Sequence, residues 1–148
     1  MHTYATALAR SGVSVPDHLV ADAVVPVLTG PQAQGDLMVV PVTAPLGGLD
    51  WQPVPDAGIQ VIHGEATGNT HWLHRGLDSP SVRWAAAPSG VRLGFLDVAA
   101  GNTALLIHTD EHGANGIGPG RYAIHRKRAQ EVTLSRPASG TGTYLIED

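Results

Sequence analysis

The chain predicts an all-β fold, an antiparallel β-sandwich or small barrel of about eight short strands behind an N-terminal arm containing one or two short helices. Three observations carry this. Apolar runs of strand length recur at short spacing from Gly35 onward, 18 Gly and 11 Pro punctuate them, and the apolar residues are mostly small Ala and Val with few large aromatics. A chain of 148 residues fits one domain with a conventional core. Residues 1–30 read as the arm, and 31–148 as a single β domain.

Taken in order, Tyr4 to Arg10 is Ala-rich and predicts two helical turns ended by Gly12. Pro16 and Asp17 open a second short helix running to Val25, where Pro26 stops it. Neither is long enough to be stable alone. The arm must therefore dock, either over an edge of its own sheet or on a neighbouring subunit. Strands are expected at Asp36–Val42, Ile59–His63, Thr70–His74, Val82–Ala87, Val91–Val98, Ala104–His108, Arg121–Arg128 and Thr143–Ile146. The Pro-rich stretch from Leu49 to Gly58 and the Gly-rich stretch from Gly113 to Gly120 read as loops, and Gly64 to Asn69 reads as a tight connection between two strands.

Composition removes several function classes. With no cysteine, disulfides, thiolate metal sites and a cysteine nucleophile are excluded. The net charge is −4, and the single lysine, Lys127, sits between Arg126 and Arg128, too short a basic run for a nucleic-acid footprint. That trio is the solvated end of a strand. No apolar stretch is long enough to span a membrane, and the N-terminus lacks the apolar core of a signal peptide, so a soluble chain is expected. Residues Gly113 to Gly120 lack the lysine and hydroxyl of a phosphate-binding P-loop, and neither Ser89-Gly90 nor Ser139-Gly140 has the surroundings of a nucleophile elbow.

The side chains able to do chemistry gather around two turns. His63, His71 and His74 flank Gly64 to Asn69, while His108 and His112 flank the next. In a regular strand His71 shares a face with Leu73, and His74 shares the other with Trp72. The two histidines therefore cannot both point inward. A mononuclear site for one divalent transition metal would use His71 with His112 or His108, and Glu65 or Glu111 as carboxylate ligand or base. The alternative is a set of hydrogen-bonded turn histidines with no cofactor.

The run Gly64-Glu65-Ala66-Thr67-Gly68 with His71, then Glu111-His112, then Pro119-Gly120-Arg121-Tyr122 with Arg126 and Arg128, resembles a group of small uncharacterised bacterial and phage proteins. Their pattern is G-E-A-T-G-H-x-H, then E-H, then P-x-G or P-G with a Tyr and an R-Q-R ending, matched over roughly residues 35 to 128. The resemblance implies a family without implying an activity. A more distant similarity to cupins, β-barrels that hold a metal through histidines, rests on the same motif and on Pro119-Gly120 before His125. Here Asn69 stands where the first histidine of H-x-H would be, and Lys127 replaces the glutamine; an amide in place of an imidazole weakens a transition-metal site.

The expectation for function is thus a non-enzymatic structural or interaction module of a larger assembly, sharpest as a phage-capsid accessory protein, located in a virion or the cytoplasm. Its partners would be copies of itself or a major assembly protein, with no nucleic acid and no membrane. The alternatives are a metal-binding, cupin-like enzyme using His71, His112, Glu65 or Glu111, and a small-ligand or carbohydrate-binding sandwich using Trp51, Trp72 or Trp84.

Overall fold

The computed structural model describes residues 2–15, 19, 21–62, 71–108 and 113–127. Within them one helix, α1 (Tyr4–Ala9), is followed by eleven strands. These are β1 (Val27–Leu28), β2 (Gln32–Gln34), β3 (Leu37–Pro41), β4 (Gln52–Pro53), β5 (Ile59–Ile62), β6 (His71–Arg75), β7 (Val82–Ser89), β8 (Arg92–Val98), β9 (Ala104–His108), β10 (Gly113–Ile117) and β11 (Gly120–Arg126). They form a five-stranded sheet in the order β1-β10-β9-β6-β5 and a six-stranded sheet in the order β2-β3-β11-β8-β7-β4. Every pairing is antiparallel except that of β1 with β10. The fold is an all-β, sandwich-like one with a short N-terminal helix, as the apolar runs predict.

Period-2 alternation places the core. Leu37, Val39, Val82, Trp84, Leu96, Val98, Tyr122 and Ile124 of the larger sheet meet Leu73, Ala104, Leu106 and Ile117 of the smaller one. The smaller sheet is buried on its other face too, because Leu105, Ile107 and Ala114 lie beneath Ala7, Leu8 and Val25 of the arm. All five residues of β9 are consequently buried. The described residues form three layers: arm, five-stranded sheet, six-stranded sheet. The arm thus covers a sheet face, where the sequence suggested an edge or a neighbouring subunit.

The arm's helix holds because its ends are satisfied. Thr3 caps it, accepting from the Thr6 N–H at 3.2 Å, and the Thr6 hydroxyl accepts from the Thr3 N–H at 3.0 Å. The N–H groups of Tyr4 and Ala5, which have no partner inside a helix, donate to the carbonyls of Ala23 and Ala21. This corrects the expected second helix. Among its described residues, 21–25 form turns and a bridge of Val24 to Thr3, since their carbonyls serve the first helix.

Two expected loops contain strands. Gln52–Pro53 pairs with Trp84 and Arg83 at the edge of the six-stranded sheet, where a proline costs no ladder bond to a further strand. Gly113–Ile117 is a central strand between β1 and β9. Its glycine content disguised it, yet Gly116 is required there: a Cβ would stand 2.6 Å from the carbonyl of Pro26, just before the adjoining strand. The expected turn at Gly64–Asn69 and the expected strand at Thr143–Ile146 lie outside the described residues. No described helix is long and apolar enough to cross a membrane.

Candidate functional site

The register brings two of the predicted histidines together. His71 opens β6 and pairs with His108 at the end of β9, which in turn pairs with Gly113 at the start of β10. Both rings point between the sheets, with centroids 4.3 Å apart and an interplanar angle of 48°. Both are buried, His71 at 1% and His108 at 0% exposure. Glu65, Glu111 and His112, the other candidate ligands, lie outside the described residues, as does His63. The connections that carry them run from Ile62 to His71 and from His108 to Gly113, so both start and finish at this end of the sheet.

The remaining members of the cluster come from the opposite sheet. Gln34 ends β2, Gly35 turns with φ +57°, and Asp36 enters β3 with its side chain buried. Asp36 Oδ1 stands 3.3 Å from His71 Nε2, and Gln34 Oε1 stands 3.2 Å from His71 Nδ1. A chain of amides fixes the direction of these contacts. Asn115 of β10 donates through Nδ2 to Gln32 Oε1 and the Ala33 carbonyl, both at 3.1 Å, so its Oδ1 is the acceptor. Gln34 Nε2 donates to that Oδ1 at 3.0 Å and to the Leu106 carbonyl at 2.7 Å. Gln34 Oε1 must then accept, and His71 Nδ1 must carry the hydrogen. The other ring nitrogen faces the Asp36 carboxylate.

This arrangement locks the two sheets together and orients His71 firmly. The nitrogen left for a metal is Nε2, with Gln34 as the group that would set the ring's orientation. Among the described residues no three His, Asp or Glu side chains come together as a metal-holding group. Gln34, Asp36 and Asn115 were missed by the sequence reading. The available signal was the polar series Gln32, Gln34, Asp36 at two-residue spacing across a glycine, which puts three hydrogen-bonding groups near one strand face.

His74 occupies the opposite face of β6, as alternation predicts, and is equally buried at 1% exposure. It lies beneath the arm. Its Nε2 is 2.9 Å from Ser11 Oγ, the Trp72 ring is roughly parallel at 6.2 Å, and its Nδ1 has no hydrogen-bond partner. Burial, reinforced by the positive Arg10 guanidinium, lowers its pKa to about 4. Gly58, at φ +83°, packs directly against the ring: a Cβ there would come within 2.5 Å of His74 Cε1. Arg10 donates to Asp56 Oδ1 and to the Arg75 carbonyl, both at 3.1 Å, and so ties the arm across the site.

The tryptophans offer no open platform. Trp84 lies in the core, Trp51 is half-buried with the Arg83 guanidinium 5.2 Å from its ring, and Trp72 is half-buried beside His74. Exposed apolar side chains gather elsewhere. Val24, Val27 and Leu28 are 48%, 46% and 49% exposed and lie along the arm's exit and the edge strand β1.

The fold and the cluster define a β-sandwich domain with a polar Gln-Asp-His-His seam between its sheets. Residues 33–127 match the family described as Domain of unknown function (DUF8820), and the chain belongs to it. No curated protein and no solved structure matches the chain.

Proposed function

We propose that the protein is a non-enzymatic interaction module that takes its place in a larger assembly through the β1 edge. The observation that carries this is the exposure of Val27 and Leu28 on an edge strand, with Val24 exposed shortly before it. Open edges are normally blunted by charge, and apolar side chains at an edge mark a surface that another chain covers. The occupant that best fits is a second copy of the chain, with a major assembly protein as the heterologous counterpart. In its sharpest form the protein decorates or stabilises a phage capsid, supported by the phage-borne sequence pattern; in a cellular setting the same module would work in the cytoplasm. Light scattering of the purified protein should show a multimer, reduced to a monomer by the double substitution Val27→Lys and Leu28→Lys. A wild-type monomer at high micromolar concentration would contradict this reading.

A second reading is favoured by one observation, the meeting of His71 and His108 at the sheet end from which the connections bearing Glu65, Glu111 and His112 depart. On this reading His71, His112 and Glu65 or Glu111 bind one divalent transition metal in a cupin-like enzyme. Gln34 already holds His71 Nδ1, which leaves that ring a single nitrogen for a ligand role. Metal analysis of the purified protein separates the two. One tightly held metal per chain, lost on His71→Gln or His112→Gln, would promote the enzyme; metal content unaffected by both substitutions supports the module.

A further inference from the structure

The arm is fastened to the sheet by two histidines that both work as neutral rings. His2 is 5% exposed, and its Nε2 accepts from the Leu77 N–H at 3.1 Å, a bond that a protonated ring cannot make. His2 packs against Gly76, where a Cβ would stand 2.9 Å from the His2 Cε1. His74, on the sheet side, is sealed by Ser11 and Arg10 of the arm and by Gly58. Its buried Nδ1 makes no hydrogen bond, and although the Asp56 backbone offers some support to a second ring proton, the cost of burying the charge outweighs it.

We propose that the N-terminal arm is a pH-released cover: protonation of His2 and His74 undocks its described residues, 2–15 and 21–25, and bares the apolar strip of Leu105, Ile107 and Ala114 on the five-stranded sheet. The inference stands independently of how the β1 edge is used. The charges around each ring favour it. His74 faces Arg10 from the arm, which opposes protonation, and Asp56 from the segment before β5, whose carboxylate and backbone both favour it; Arg75 is engaged with Asp56. His2 faces the amino-terminal charge and Arg10, which oppose protonation, and Asp78, which favours it.

Burial is the largest influence on both rings and lowers both pKa values, for His74 from 6.5 to about 4. The sign follows from linkage. Docking is at full strength above the free histidine value of about 6.5, weakens as pH falls, and for His74 levels off only below about 4. Each histidine weakens docking by up to about tenfold per pH unit within its own window. The core between the sheets does not depend on either ring, because neither belongs to it. Release is therefore a local opening and not global unfolding.

Hydrogen exchange, corrected for the intrinsic pH dependence of amide exchange, tests this on the full chain. The amides of Tyr4, Ala5 and Ala7, all bonded within the arm, should lose protection steeply between pH 6.5 and pH 4, while Val54 and strand β8 stay protected. The double variant His2→Gln, His74→Gln keeps a hydrogen-bonding side chain at both positions without a titratable ring, and its arm protection should be flat over the same range. If the double variant does not fold, each single variant should show a shallower loss than wild type. Arm protection that is independent of pH in the wild type would overturn the proposal. So would simultaneous loss of arm and β8 protection, or an unchanged slope in the foldable variants.

Discussion

His71 and His74 stand three residues apart on one strand, are equally buried, and live in opposite chemistries. His71, between the sheets, has an oxygen facing each ring nitrogen, one of them held in place by a relay of amides. His74, beneath the arm, has one hydroxyl partner, one nitrogen that makes no hydrogen bond, and the opposed influences of Arg10 and Asp56 nearby. The difference teaches that burial alone does not set a histidine's role. A ring supplied with acceptors becomes a joint between layers, and a ring starved of them becomes a point at which layers separate on protonation.

The contrast can be broken from either side, and the largest expected effect is at the joint. Gln34→Leu leaves His71 Nδ1–H, Asn115 Oδ1 and the Leu106 carbonyl without Gln34, at about 1 kcal/mol or more each, so chemical denaturation should show a loss of about 3 kcal/mol. A loss below about 1 kcal/mol would mean the relay does not hold the sheets. Gly58→Ala comes next, at about 2–3 kcal/mol, from an alanine forced to positive φ and driven into the His74 ring. In a His74→Ala background the collision disappears, and the cost should shrink to about 1 kcal/mol. Equal costs in both backgrounds would show that the ring is not what Gly58 accommodates.

Smaller effects sharpen the arm side. Ser11→Ala removes a single hydrogen bond to His74 and should cost about 1 kcal/mol, with the acid release of the arm retained. Arg10→Gln acts on titration more than on stability: without that cation the His74 midpoint should rise above about 4. An unchanged midpoint, followed by NMR, would assign the lowering to burial alone.

Alternation made the opposite orientation of His71 and His74 legible from the chain, and the apolar runs gave the strands from Val82 to His108 nearly residue by residue. What each ring meets was not legible. Asp36 and Gln34 precede His71 by more than thirty residues and reach it only because β2 and β3 lie in the facing sheet. Strand β10 was hidden because Gly113 and Gly116 lack β propensity, although close approach by β1 is what demands glycine at 116. Local signals predict a helix from Pro16 to Val25, but the Ala21 and Ala23 carbonyls are claimed by the N–H groups of α1, a contact that local pattern does not encode.

The most direct test of the two histidine environments is a ring-nitrogen NMR titration of the uniformly labelled protein from pH 7 to pH 4. His71 should keep a hydrogen on Nδ1 throughout, and His74 should remain neutral until the pH approaches 4. A His74 that titrates near 6.5, or a His71 whose Nδ1 carries no hydrogen at neutral pH, would contradict the account.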